Sequence, residues 1–305
     1  MTVAKPPRVA LFLKRTSWQV FVEEGDDPRV RELLAEGDVT VARLRASHEE
    51  HERTVAEVRE ALSALGVEAE LIAHRRESFD IAGFDLVITV GGDGTLLHAS
   101  HHVVDIPVLG INSAPSHSVG FFCGATSGQV ESAIASALSG TLEATTLTRM
   151  RVLVNGAVVA SSVLNDALFC HASPAATTRY ILELTRSATG KTIVEEQKSS
   201  GCWVGPAAGS TAAQRSAGGR VLPLTSADLQ LVVREAYMPR GEQYRLRRAL
   251  IVPGDKLLIR SKMLQAKIFF DGPERYVDIQ RGDVIEFTRS NRALTLLGIA
   301  GRERS

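Results

Sequence analysis

The chain has 305 residues, 44% of them apolar, and its 35 basic and 35 acidic side chains cancel. That length exceeds one ordinary core and fits two domains, while the neutral balance argues against bulk attraction to nucleic acid or to a membrane surface. Three widely spaced cysteines, Cys123, Cys170 and Cys202, exclude a zinc knuckle or a redox pair and suit a reducing compartment. No run approaches the roughly 20 apolar residues of a membrane span, and residues 1–8 hold no apolar signal core, so a cytoplasmic protein is expected.

Residues 9–13, Val-Ala-Leu-Phe-Leu, read as a buried strand, followed by Lys14 and Arg15. A polar stretch over 23–36 precedes a charged helix over about 42–65, where Leu44, Val55, Val58, Leu62 and Leu65 recur at helical spacing and Gly66 ends it. Strands are predicted at 67–72 and 86–90, a helix over 96–104 beginning near Thr95, a strand at 107–111, and an amphipathic helix over 129–138 stopped by Gly140. Strands alternating with helices imply a parallel sheet covered on both faces. Sites in such sheets lie at the carboxyl ends of the strands, where Lys14, Asp93 and Asn112 fall.

Beyond Leu142 the pattern changes to short strand-like runs, at 147–154, 157–167, 180–185, 192–197, 229–234, 256–259, 266–270 and 284–288. Asn155-Gly156 and Thr189-Gly190 read as hairpin turns, and one helix candidate spans about 210–217. Many short strands suggest a sandwich. The expectation is therefore a doubly wound α/β domain over 1–142, with 290–305 returning to it, and a β-sandwich-like domain over 143–289.

Gly91-Gly92-Asp93-Gly94-Thr95, directly after the strand at 86–90, is the most informative stretch. Glycines let the backbone approach a bulky anion and adopt positive φ, and the following helix directs its amides and dipole at the same spot. A tight turn capped by Asp93 is the simpler alternative. A carboxylate among three glycines goes beyond what a turn requires; it reads as a phosphate cradle (Gly91, Gly92, Gly94, Thr95) holding a base, Asp93, for phosphoryl transfer to a hydroxyl.

A second stretch, Lys198 to Ala213, leads a strand into a Gly/Pro/Ala loop and then Gly209-Ser210-Thr211. Small residues there let a ring or ribose lie on the backbone, with Ser210 and Thr211 as donors; a capped helix after a loop explains the pattern equally well. Asn165-Asp166 place two polar groups in an otherwise apolar run. Asn can pair with an adenine edge and Asp can accept from ribose hydroxyls, or a bulge or turn satisfies both locally. Gly190-Lys191-Thr192 lacks the first glycine of a P-loop and reads as a hairpin turn; His98, His101 and His102 lack an acidic third ligand and read as helix-surface or phosphate-proximal groups; the basic run 240–248, with Tyr244, could touch phosphate but reads better as a solvated loop or subunit contact.

Taken in order, Gly91-Gly92-Asp93-Gly94-Thr95, Pro107-Val108-Leu109-Gly110-Ile111-Asn112, Asn165-Asp166, Gly209-Ser210-Thr211-Ala212, and Asp271-Gly272 with Gly282-Asp283 resemble the NAD kinase family over nearly the whole chain, from Val9 to about Leu297. Lys198-Ser199-Ser200-Gly201 and the long insert after the first strand are similar to its divergent, mitochondrial-type branch. The resemblance implies an α/β domain plus a β-sandwich, with the site between them, and ATP-dependent phosphorylation of the 2′-hydroxyl of the adenosine ribose of NAD to give NADP. Asp93 would accept the hydroxyl proton. Gly94, Asn165, Asp166, Thr211, Ala212 and Ser216 would hold NAD, Lys198 would reach a phosphate, and Mg²⁺ would arrive with ATP or polyphosphate, with no tightly bound organic cofactor. It further implies a homodimer or homotetramer in which a neighbouring subunit completes each site. Ala213 in place of an aromatic residue, Ser200 in place of an aspartate, Pro206-Ala207-Ala208 in place of a Thr-Pro-Thr type run and Pro273 in place of a polar residue are departures. They keep open a catalytically weak NAD(P)-binding sensor, and a diacylglycerol or sphingosine kinase of the same superfamily is the other alternative.

Overall fold

The apolar strand at 9–13 takes its place inside a sheet whose two faces separate along every strand. In a computed structural model, which describes residues 6–72, 81–238 and 243–301, the first unit comprises Met1–Thr145 and Leu294–Arg302. Its elements are β1 (Arg8–Leu13), α1 (Pro28–Glu36), α2 (Leu44–Ala64), β2 (Glu68–Leu71), β3 (Leu86–Gly91), α3 (Asp93–Ser100), β4 (Val108–Asn112), β5 (Ala125–Thr126), α4 (Val130–Leu138) and β6 (Ala144–Leu147). The seven-stranded sheet runs β2-β1-β3-β4, then the late strand Leu294–Leu297, then β6, with β5 paired to β4. The pairs β1–β2, β1–β3, β3–β4 and β4–β5 are parallel, as is the late strand with β4.

Period-two alternation sorts the side chains. Val9, Leu11, Leu86, Ile88, Val90, Leu109 and Ile111 pack with Val55, Val58, Ala61 and Leu62 of α2 and Val130, Ala133 and Ile134 of α4. Gly110 faces the other side and admits α3, since a Cβ there would stand 2.9 Å from Leu96 Cδ1. The predicted polar stretch 23–36 contains a helix. Asp27 caps α1 by accepting from Arg29 N and Val30 N, Pro28 opens it and Gly37, at φ 69°, closes it. The helix expected over 96–104 instead runs from Asp93 to Ser100, because Gly92 O accepts from both Thr95 N and Leu96 N and winds the first turn three residues early.

The second unit, Thr146–Ala293, is a sandwich of antiparallel strands: β7 (Met150–Val154), β8 (Ala157–Val163), β9 (Ala167–His171), β10 (Thr178–Thr185), β11 (Thr192–Ser199), β12 (Cys202–Pro206), β13 (Leu229–Val233), β14 (Arg248–Ile251), β15 (Lys256–Ser261), β16 (Ala266–Phe270), β17 (Tyr276–Ile279) and β18 (Val284–Arg289). A last strand, β19 (Leu294–Leu297), is the one that rejoins the first unit's sheet. One sheet runs β11-β10-β15-β18-β7-β8 and the other β14-β13-β12-β9-β16-β17. Val152, Tyr180, Leu182, Ile259, Ile285 and Phe287 of the first meet Phe169, Cys202, Val204, Leu231, Ile268 and Phe270 of the second. Asn155 (φ 51°) and Gly156 (φ 83°) form the expected hairpin turn. Gly190 (φ 67°) sits in a hairpin closed by Arg186 N to Lys191 O at 2.9 Å, which is the expected geometry rather than a P-loop.

Two apolar runs divide. The run 147–154 is split between β6 and β7, and 157–167 is not one strand: the chain leaves the first sheet after Val163 and enters the second at Ala167. Asn165 and Asp166 occupy the turn between the sheets. The helix candidate 210–217 is a 3₁₀ turn, Ala207–Thr211, followed by the short α5 (Ala213–Ser216).

Candidate functional site

In the first unit, β3 ends on Gly91 and α3 opens at Asp93, with Gly92 in extended backbone at φ −107° and ψ −164°. Gly91, Gly92 and Gly94 all lack the positive φ expected of them. Close approach explains the first two instead. A Cβ on Gly91 would lie 2.1 Å from Thr95 Oγ1 and one on Gly92 2.4 Å from Ser118 Oγ, whereas at Gly94 no described atom lies within 4 Å. Gly91 and Thr95 are buried against each other, so the reachable wall of the predicted cradle is half-buried Gly92 and Asp93 with exposed Gly94.

The Asp93 carboxylate is held in place. Oδ2 accepts from Phe121 N at 2.9 Å and Oδ1 from Phe122 N at 2.8 Å, leaving each oxygen further acceptor capacity. Asn112 organises the loop that supplies those amides: its Nδ2 donates to Ser118 O at 2.9 Å and its Oδ1 accepts from Ala114 N at 3.3 Å. Beneath it, His51 is 1% exposed and its Nδ1 lies 2.8 Å from Ser113 Oγ. Burial first, then the charges of Lys14 and His48, push His51 down to about 4, so the ring is neutral at physiological pH. Sequence reading reached Lys14 and Asn112. It missed His51, Ser118, Phe121 and Phe122, because no local pattern says which amides will meet Asp93.

In the second unit, Asp271 (φ 54°) ties down the 164–166 turn. Its Oδ2 accepts from Leu164 N at 2.9 Å and its Oδ1 from Asn165 N at 2.7 Å and Asp166 N at 3.1 Å, while its own amide donates to Asp166 O at 2.9 Å. Asn165 Oδ1 is buried and has no hydrogen-bond partner among the described residues. An unmet buried acceptor costs about 1–3 kcal/mol, which a ligand amine would recover. Burial, then the neighbouring Asp271 charge, raises the Asp166 carboxyl to about 7. Asp166 also lines a cleft of about 320 Å³ with Leu168, Trp203, Phe269, Gly272 and Pro273. Trp203 and Phe269 give it two aromatic walls, despite the alanine at 213. Their outward position on β12 and β16 emerges only once Cys202, Val204, Ile268 and Phe270 are seen to face the core.

The Gly209-Ser210-Thr211 turn packs directly on this place. A Cβ on Gly209 would stand 1.8 Å from Asn165 O, and one on Gly205 2.3 Å from the same atom. Ser210 is not a free hydroxyl: it donates to Ala207 O at 2.7 Å and accepts from Leu222 N at 3.0 Å, so its expected role as a ligand donor is corrected to an internal brace. Thr211 is half-buried, and Ala212 and Ser216 are exposed. Gln214, fully buried and absent from the sequence reading, donates from Nε2 to Asn165 O at 3.2 Å.

Lys198 lies elsewhere in this unit. It pairs across the sheet with Arg179, next to Thr178, whose Oγ1 accepts from His171 N. His171 is five residues along β9 from Asp166, roughly 16 Å at about 3.3 Å per residue. His98 and His102 pack ring to ring at 5.7 Å, and among the described residues no three ligating side chains gather for a metal. The basic run 240–248 lies partly outside the described residues.

One unit carries a glycine-walled carboxylate on a parallel sheet and the other an aromatic cleft with an unmet amide acceptor on a sandwich, features that suit a nucleotide-dependent kinase. Relatives agree. A family described as the ATP-NAD kinase N-terminal domain matches residues 4–142. A probable NADH kinase of Oryza sativa is 34% identical over 78% of this chain and 78% of its own length. The NADH kinase of Arabidopsis thaliana is 35% identical over 78% and 80%. The fold matches an NAD kinase from Archaeoglobus fulgidus solved with ATP, at TM-score 0.66 and 20% identity, over 95% of this chain and 93% of that one. The chain belongs to the NAD kinase family.

Proposed function

We propose that the protein transfers the γ-phosphoryl group of ATP to the 2′-hydroxyl of the adenosine ribose of NAD or NADH. The observation that carries the acceptor is the unpartnered Asn165 Oδ1 beside Asp166 and an aromatic-walled cleft: the exocyclic amine of adenine supplies the missing donor and ionised Asp166 accepts from the ribose. An apolar lipid acceptor would leave both unmet. Thr211, Ala212 and Ser216 border the nucleotide. Recognition through the adenosine end does not distinguish NAD from NADH, in keeping with the names of the plant relatives.

Asp93 orients the attacking hydroxyl and takes its proton, its carboxylate preset by the amides of Phe121 and Phe122. Gly92 and Gly94 admit the phosphates. Mg²⁺ would enter on the ATP oxygens and neutralise their charge. Lys198, being remote from Asn165 in its own unit, serves the site of a second copy, which is the support for a homo-oligomer. Three free thiols support a reducing compartment, the cytoplasm, and no described helix is long and apolar enough to cross a membrane.

The test is an assay of purified protein with ATP, Mg²⁺ and either NAD or NADH. Formation of NADP or NADPH supports the proposal. Binding without turnover favours the sensor, and turnover of diacylglycerol alone favours the lipid kinase. Asp93→Asn is expected to lower kcat by about 10²–10⁴ while NAD still binds.

A further inference from the structure

Outside both constellations, the sandwich carries a second cleft, of about 550 Å³, lined by Arg186, Arg220, Gln230, Arg248, Ala249 and Leu250. Its three guanidiniums come from three separate segments: the turn after β10, the loop after α5, and the start of β14. Two are braced. Arg186 Nη1 donates to Leu250 O and to Asp255, each at 2.7 Å, and Arg248 Nη1 donates to Gly218 O at 2.6 Å. Each keeps further N–H groups, since a guanidinium carries five. The Arg220 side chain is exposed and has no ion-pair partner among the described residues. The lining contains no carboxylate; Asp255 enters only through Arg186, so the cleft holds an excess of positive charge.

The floor of this cleft is wired to Asn165. Buried Gln230 accepts from Arg220 N at 2.7 Å and donates from Nε2 to Arg220 O and to Gln214 Oε1, both at 3.1 Å. Gln214 in turn donates to Asn165 O at 3.2 Å. A hydrogen-bonded path of two buried amides thus joins the Arg220 backbone to the turn that carries the unmet acceptor.

We infer that the Arg186–Arg220–Arg248 cleft binds a small anion bearing at least two phosphate charges, and that its occupancy alters adenosine affinity at Asn165. Planar guanidinium forks match phosphate oxygens in pairs, and the volume accommodates a diphosphate. The first clause stands independently; the second rests on the adenine-binding reading.

Calorimetric titration of the full chain with pyrophosphate, at about 0.15 M salt, tests the first clause. Because the turn at Gly92–Gly94 offers pyrophosphate another place, wild type should show two classes of site. One of them should weaken at least about tenfold in Arg220→Glu, with Arg220→Gln in the same direction. Coincident isotherms for wild type and Arg220→Gln would overturn the assignment, and that milder variant guards against misfolding of the charge reversal. For the second clause, saturating pyrophosphate should shift the Kd of uncharged adenosine several-fold in wild type and leave it unshifted in Arg220→Gln. An adenosine Kd indifferent to pyrophosphate removes the coupling, and failure of adenosine to bind at all removes the adenine reading while the pyrophosphate result stands.

Discussion

Asp166 and His51 are perturbed in opposite directions, and their pH signatures differ accordingly. Asp166 titrates near 7 in the folded chain against 3.8 as a free side chain. Its contribution to stability is therefore fully present below about 4 and is lost as pH rises through 7. Asp166→Asn should flatten the fall in unfolding midpoint between pH 4 and 8, measured by urea titration. The same ionisation makes Asp166 a full acceptor, so NAD should bind more tightly as pH rises through 7, a slope the variant lacks. His51 is lowered from 6.5 to about 4. Its contribution is present above 6.5 and lost as pH falls towards 4, because the unfolded chain takes up the proton first. His51→Leu should remove that acid-side slope. At pH 7 it should cost about 1–3 kcal/mol, by leaving Ser113 without its buried partner; an unaltered acid limb in chemical denaturation would reject the assignment.

At the scale of elements, the turn at 164–166 was one of two readings that Asn165-Asp166 left open, and the fold takes it. The run 157–167, interrupted only by Ser161, Ser162, Asn165 and Asp166, was expected as one strand, yet here it supplies the end of one sheet, a crossover and the start of another. What makes the crossover possible is Asp271, 105 to 107 residues away, accepting three successive amides. The Gly-rich approach to Thr211 was visible, but its purpose was not. Gly209 stands where a methyl group would meet Asn165 O at 1.8 Å, and a backbone atom cannot swing aside. Gly209→Ala should destabilise the sandwich by about 1–3 kcal/mol and raise KM for NAD by more than kcat changes. Gly94→Ala, in open space, should leave the melting temperature close to wild type. Equal thermal shifts in the two variants would refute the packing argument. The early start of α3 has a similar origin: Gly92 O takes two amides, a choice propensity cannot foresee with glycines on both sides of Asp93.

Across the whole molecule, each unit owns a separate core, one around the parallel sheet and one between the two antiparallel sheets. Phe287 is 1% exposed inside the second. Phe287→Ala should cost about 3–5 kcal/mol, and native-state hydrogen exchange should show the lost protection within 146–293, with α2 and β3 unaffected. Uniform loss over both units would show a single cooperative core instead.

Alternating strands and helices, then short strands with Asn-Gly turns, were enough to announce two architectures, since hydrophobic period and turn chemistry are local properties of a chain. So was the aspartate among glycines, and with it the family. What needed the folded molecule was every feature built from distant partners: the Phe121 and Phe122 amides on Asp93, the Asp271 clamp, the aromatic walls from Trp203 and Phe269, and the separation of Lys198 from Asn165. Those contacts join residues tens to more than a hundred positions apart, and only packing decides which of them meet.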